Sequence, residues 1–404
     1  MTSNRRTLLR TLAGASAAVV WGGRDAKSAE PPLRIGYSTS LTGVSAAYAR
    51  SQINGLQLAI DEANAGGGIL GRQVELLVRD NQLKPDLGIA QTRDLITREK
   101  VDFLIGAPGS QIVLATTLVA KQYKKVTMYA MAATPRLTME LFQPYMFNII
   151  STAMMDARAA AEEVGAKFKK FAFIGADYEA SHQYDKYFRE RVQKLNPGAE
   201  WVAEAWPKLG ETDFLPYIQQ LLAAKPDIVV TNIYGPDLIA FVKQAKPYGF
   251  FDQVKFSVAL NMDDLRALGN DLPDGVLGEM HAAFWIGGPR MPGFVERFRK
   301  KYNDYPAEFA IFGYEAMESL LQGITKAGTT ESDAVVKALE ELQYDGLRGK
   351  LSFRAFDHQA NVPSFVGVTG PSNLLPFKVI TNVQVIPGEL TLPSVEEIQA
   401  ARKS

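Results

Sequence analysis

The chain has 404 residues, 47% of them apolar and 22% charged, which excludes disordered and collagen-like classes and leaves room for two domains. Lysine plus arginine (44) equals aspartate plus glutamate (44), and no basic block follows the first thirty residues, so the footprint of a nucleic-acid binder is missing. No cysteine is present, which excludes disulfides, thiolate nucleophiles, iron–sulfur clusters and a lipid-modified cysteine.

Compartment is therefore read from the N-terminus. Arg5, Arg6 and Arg10 make a positive region, Thr11 to Trp21 a short apolar stretch, and Ala26-Lys27-Ser28 a small-residue cleavage site, so residues 1–28 are expected to be a cleavable export signal. Eleven residues at about 1.5 Å each do not span a bilayer core of roughly 30 Å, so no direct membrane insertion is expected. Asn4 to Arg10 resembles a twin-arginine signal, without the usual Ser or Thr before the pair. Removing residues 1–28 takes away Arg5, Arg6, Arg10, Arg24, Lys27 and Asp25, leaving a net charge of −4. A soluble periplasmic monomer is expected.

After Pro31-Pro32, short apolar runs alternate with helical patterns, the signature of α/β units around a mostly parallel sheet. Strands are expected at Leu33–Tyr37, Val74–Arg79, Phe103–Ile105 and Val126–Tyr129, with helices near Gln52–Ala65, Asp86–Glu99 and Gln111–Lys124. A second series follows. Its strands are Phe171–Gly175, Trp201–Ala205, Ile228–Thr231 and Lys255–Val258, and its helices Tyr184–Leu195, Phe214–Ala224 and Asp237–Lys246. Helical patterns at Met291–Tyr302, Glu308–Ala327 and Asp333–Leu342, then strand-like Lys350–Phe353, Phe365–Thr369 and Phe377–Val385, are too few for a third unit and complete the first two. The expected division is one doubly wound lobe from 33–150 and 287–350, a second from 151–286 and 351–395, and a tail at 396–404. A hinge of several strands then leaves a cleft at the strand ends, where open α/β sheets bind ligands.

Gly66-Gly67-Gly68-Ile69-Leu70-Gly71 has the spacing of a dinucleotide fingerprint, but it follows a helix and precedes a strand, so it reads as a helix cap and tight turn, with no cofactor. His182, His281 and His358 are scattered, which predicts surface histidines, no metal cluster and no catalytic relay. Asp61-Glu62, Glu162-Glu163 and Glu340-Glu341 read as solvated helix faces. Two strand-to-helix junctions are sharper signals. Gly106-Ala107-Pro108-Gly109-Ser110 opens a helix with free N–H groups and a hydroxyl, and Ala132-Ala133-Thr134-Pro135 repeats the arrangement with Thr134 as N-cap; both suit a carboxylate, although capping alone also explains them.

Leu33 to Gly43, Asn54-Gly55, Leu58 to Arg72, Asp80-Asn81, the Gly106–Ser110 loop, Ala132-Ala133-Thr134, Ile174 to Tyr178, Pro226 to Val230 and Tyr314-Glu315-Ala316 together resemble the periplasmic leucine/isoleucine/valine-binding proteins of ABC importers. The resemblance implies a type I periplasmic-binding fold, an inter-lobe ligand, a permease partner and no catalysis. It also implies that Ser110, Thr134 and the backbone around Ala132 grip a ligand carboxylate, while Tyr48, Tyr178 and Tyr234 close over it. At Ala259 to Asp263 the chain departs from the family. Where amino-acid binders place a carboxylate for the ligand ammonium stands Asn261, with Asp263 two residues on as a substitute acid or an N-cap. An unpaired buried ammonium is costly, which slightly favours an aromatic or aliphatic acid over a hydrophobic amino acid. Phe309 and Phe312 are candidates for its apolar end. A periplasmic sensing subunit of the same fold and a secreted hydrolase are the alternatives, the second lacking any nucleophile, base or metal constellation.

Overall fold

The computed structural model describes residues 30–43, 45–106 and 108–403. The expected export signal lies outside the described residues. The chain first lays down β1 (Leu33–Thr39), α1 (Ala46–Ala65), β2 (Val74–Asp80), α2 (Pro85–Thr97), β3 (Phe103–Ile105), α3 (Ser110–Gln122), β4 (Thr127–Tyr129) and β5 (Met146–Asn148). These strands form an all-parallel sheet in the order β2-β1-β3-β4-β5. Leu33, Ile35 and Tyr37 are fully buried, as expected when helices cover both faces of a parallel sheet.

A second body follows with α4 (Ala153–Val164), β6 (Lys170–Ile174), α5 (Glu179–Leu195), β7 (Glu200–Ala205), α6 (Leu215–Ala223), β8 (Ile228–Thr231), α7 (Gly235–Ala245), α8 (Phe250–Gln253), β9 (Lys255–Ala259), α9 (Met262–Leu268) and β10 (Leu277–Met280). The chain then returns through α10 (Met291–Tyr302), α11 (Glu308–Ala327), α12 (Ser332–Glu340) and the hairpin β11 (Gln343–Asp345) and β12 (Lys350–Ser352). It ends with β13 (Ser364–Gly370), β14 (Val379–Ile386), α13 (Gly388–Thr391) and α14 (Val395–Ala401). The second sheet runs β14-β13-β10-β9-β8-β6-β7, with β13 antiparallel to both neighbours.

Helices α10 to α12 join the first core. Leu351, Phe353, Ala360 and Val362 also fill that core, so the chain regains the second sheet at β13 and not at residue 351. Residues 396–404, expected as a tail, contain most of α14, because a Ser394/Glu397 capping box starts a helix whose Ile398 buries against Met139 and Met154. Crossings between the bodies fall between β5 and α4, between β10 and α10, and between β12 and β13. The first and third are sewn together: Gln359 accepts from Asn148 Nδ2 at 2.9 Å and donates to the Ile150 carbonyl at 2.7 Å.

The Gly66–Gly71 segment caps α1 and turns into β2, with Gly67, Gly68 and Gly71 all at positive φ. That is the turn reading, and φ > 0 is the reason for the glycines.

Helices α1 and α11 cross at backbone contact. A Cβ on Gly55 would lie 1.9 Å from the Ala310 carbonyl oxygen, and one on Gly313 would lie 2.3 Å from that of Gln52. Neither carbonyl is the end of a flexible side chain, so nothing nearby yields. Gly55→Ala and Gly313→Ala should each lower stability by at least about 1–3 kcal/mol in urea denaturation. The exposed control Gly198→Ala, whose Cβ would meet nothing closer than 3.6 Å, should stay within about 0.5 kcal/mol of the parent.

Candidate functional site

The α3 N-terminus follows β3 directly. Gly109, at φ 84°, turns the chain so that Ser110 opens the helix. On the neighbouring strand, Thr134 occupies the N-cap position of a single 3-10 turn, Pro135–Leu137, rather than of an α-helix, and its hydroxyl makes no capping bond. Ser110 and Thr134 line one cavity of about 300 Å³ together with Leu83, Ile112, Tyr178 and Gln183. The first four residues come from the first body and the last two from the second. The cavity therefore lies between them. Arg136 and Glu179 pair across its rim at 3.6 Å. Ala132 is fully buried in a cluster with Val113, Tyr129 and Leu137, so its side chain serves the core.

Tyr178 and Tyr234 occupy the N-cap positions of α5 and α7, and neither side chain caps its helix. They lie against one another, and burial followed by the neighbouring Tyr234 raises the Tyr178 hydroxyl pKa. Tyr48, in the first turns of α1, packs against Phe309 with ring centroids 4.7 Å apart and the planes tilted by 33°. Its hydroxyl reaches to 3.9 Å from where a Cβ on Gly235 would stand, which brings the first body against the second. Burial, then the Asp264 carboxylate, pushes the Tyr48 pKa up. The expected residues thus form two groups joined at the Tyr178–Tyr234 contact: Ser110, Thr134 and Tyr178 around the cavity, and Tyr48, Tyr234, Asn261 and Asp263 beyond it.

Asn261 is the N-cap of α9. Its Oδ1 accepts from the Asp264 N–H at 2.9 Å and its Nδ2 donates to Asp264 Oδ2 at 2.9 Å, so both ends of the amide are engaged. Asp263 is accordingly not the cap; it is half-buried, and burial raises its pKa. Sequence reasoning missed Asp264. This residue is buried, accepts the Gly235 N–H at 3.1 Å, and burial pushes its pKa up to about 7. Phe312 is 2% exposed in the first core beneath the Arg348 guanidinium, so of the two phenylalanines only Phe309 faces the tyrosines.

The histidine expectation needs correcting. His182 is on the surface, 2.8 Å from Asp177, but His358 is buried and stacked on Phe147, because its Nδ1 is satisfied by the Met146 carbonyl. His281 meets Asp156, Glu279 and Glu308. Nor are the paired acids all solvated: Glu163 is buried, and burial moves its carboxyl pKa up to about 7, while Asp61 and Glu62 bind Lys301 and Arg297 of α10.

The profile described as periplasmic binding protein matches residues 32–369. The chain belongs to the periplasmic binding protein family. A leucine-, isoleucine-, valine-, threonine- and alanine-binding protein of Pseudomonas aeruginosa is 23% identical over 335 residues, 82% of this chain and 88% of its own length. A solved ABC-type branched-chain amino acid transporter protein of Rhodopseudomonas palustris superposes with a TM-score of 0.79 at 25% identity, covering 90% of this chain and 99% of that one. A solute-binding protein of another R. palustris strain, solved with 3,4-dihydroxybenzoic acid, gives 0.80 at 21% identity, covering 88% and 98%. The chain is thus a type I periplasmic-binding fold and a solute-binding protein of the ABC transporter class. Relatives in the family are binding proteins rather than enzymes, and the family places the protein outside the cytoplasm. No helix among the described residues is long and apolar enough to cross a membrane.

Asp264 gives this binding protein a pH signature. The folded chain holds its proton up to about pH 7, whereas an unfolded aspartate releases it near pH 4. Ionisation therefore costs stability as pH rises through that window, by up to roughly 1.4 kcal/mol per pH unit. In urea denaturation of the ligand-free protein between pH 4 and 7.5, Asp264→Asn should show a flatter decline with pH than the parent; superposed profiles would contradict it.

Proposed function

We propose that this binding protein captures a small carboxylate solute with an aromatic or aliphatic body and delivers it, unchanged, to the permease of an ABC importer. It would reach the periplasm through a cleaved signal at residues 1–28, on the twin-arginine pattern, and act there as a monomer. The observation that carries the reading is the convergence of Ser110 and Thr134, from adjacent strand ends, on a cavity faced by Tyr178 of the other body. The Thr134 hydroxyl makes no capping bond, and both residues line the cavity. Together with the opening N–H groups of α3 and the backbone around Ala132, they offer donors to one anionic group. Tyr178 is the aromatic side chain of the cavity, and past it stand Tyr234 and the Tyr48–Phe309 pair, rings that suit a flat or branched hydrocarbon body.

Asn261 supports a ligand without an ammonium, since its acceptor oxygen is spent on the α9 N-terminus. One observation favours the opposite reading. Asp264 is an acid beside Tyr48 with two hydrogen bonds to its carboxylate, which leaves capacity for a third donor.

Replacing Ser110 or Thr134 with Ala should each weaken binding by roughly 1–3 kcal/mol, because a charged acceptor is left short of a donor. Calorimetry on paired compounds, phenylpropionate against phenylalanine and 4-methylpentanoate against leucine, should favour the acid of each pair. Preference for the amino acids, abolished in Asp264→Asn, would establish the second reading; unchanged affinity in both hydroxyl variants would sink the carboxylate grip itself.

The lobes that move are the body of β1 to β5 with α10 to α12 and the body of β6 to β10 with β13 and β14. Saturating ligand should reduce the radius of gyration in solution scattering and raise the melting temperature by mass action. Tight binding with unchanged scattering would argue for a rigid cleft.

A further inference from the structure

At the base of the hinge, outside the ligand cavity, four titratable side chains from four parts of the fold converge. Asp156 comes from the first turn of α4, Glu279 from the end of β10, His281 from the second crossing and Glu308 from the first turn of α11. His281 Nε2 stands 3.0 Å from Asp156 Oδ1 and 3.9 Å from Glu279 Oε1, while its Nδ1 stands 3.0 Å from Glu308 Oε1. Glu279 is 2% exposed, and neither of its carboxylate oxygens meets an aligned donor, although the Ser364 hydroxyl lies close by. Asp156 Oδ1 and His281 Nε2 are likewise close but not aligned as donor and acceptor.

Charge makes the arrangement stranger. Among the described residues no lysine or arginine pairs with Asp156, Glu279 or Glu308, so three carboxylates share one imidazole. Glu163 adds a fourth acid to the same buried neighbourhood. Carboxylates removed from water without a counter-charge are strongly disfavoured. The one imidazole can supply at most one positive charge to three carboxylates.

Asp156, Glu279 and His281 each present one ligand atom, and these atoms lie within 4.8 Å of one another. Around a tetrahedral ion with bonds of about 2.0–2.1 Å, neighbouring ligand atoms stand roughly 3.3 Å apart; the observed 3.0 and 3.9 Å bracket that spacing. Glu308 supplies the remaining requirement. A metal-bound imidazole usually donates its second N–H to a carboxylate, which fixes the ring and its tautomer, and Glu308 is placed to receive that proton at Nδ1. We propose that Asp156, Glu279 and His281 bind a divalent transition cation of the zinc class, with Glu308 positioning the histidine. One nitrogen and two carboxylates suit such an ion better than calcium, which seeks six to eight oxygens. Because Asp156 and Glu279 belong to the second body and Glu308 to the first, the ion would pin the hinge where the chain crosses.

The test is zinc binding by the full chain after stripping with a chelator and dialysis, read by competition with a chromophoric chelator and by elemental analysis. One equivalent per chain is expected. Glu279→Gln and His281→Gln should each weaken it at least tenfold, while Asp177→Asn, which alters the exposed Asp177–His182 pair, should leave it unchanged. Circular dichroism confirms that each variant is folded, and Glu279→Gln keeps the test open if His281→Gln fails to fold. Absence of a stoichiometric ion in the parent would overturn the proposal, as would parent-like binding by folded Glu279→Gln, which would put the metal elsewhere.

Discussion

The approach of α1 to α11 is the constraint on which the cleft depends. Two glycines, Gly55 and Gly313, let the backbones touch where any side chain would hold them apart. The N-terminal ends of both helices point at the second body. The crossing therefore fixes Tyr48, at the start of α1, on the ring of Phe309, at the start of α11. It fixes Glu308 against His281 in the same stroke. A wider crossing would part the aromatic wall and pull an acid off the hinge, although neither glycine touches the cleft.

The other wall is made by strand ends. Ser110 and Thr134 owe their positions to β3 and β4 lying side by side in the first sheet, and Tyr178 and Tyr234 to β6 and β8 lying side by side in the second. Each is the residue at which a parallel strand gives way to a turn or helix, where backbone N–H groups have no partner within the helix. In the proposed site, position is set by topology, and the side chains would select among the anions and rings that such a place accepts.

The fold was legible because its signals are local. Alternating apolar runs and helical periods marked the strands of both sheets, and the glycine-rich turn after α1 announced itself by its order relative to β2. β5 and β10 escaped, as did α14, which depends on Ile398 meeting Met139 and Met154 from distant parts of the chain. That Ser110 and Thr134 share one cavity was readable from strand-then-turn grammar. Asp264 was not. Asp263 and Asp264 look alike in sequence, and only the capping of α9 by Asn261 decides which of the two turns inward. His281 escaped for a related reason: its partners lie 125, 2 and 27 positions away, and no spacing rule joins them.

The pairing of the first and third crossings through Gln359 has a mechanical consequence. A single connecting strand lets two bodies swivel and twist freely. Two crossings hydrogen-bonded side by side make a ribbon, which bends readily across its face but resists shear and torsion in its plane. The second crossing, through residues 281–290, is tied instead to the second sheet, with Trp285 donating to the Ile380 carbonyl at 3.2 Å. Such a linkage leaves the lobes close to one degree of freedom. The walls that carry Ser110 and Tyr178 then meet in a repeatable register, and less of a captured solute's binding energy goes into suppressing sideways motion.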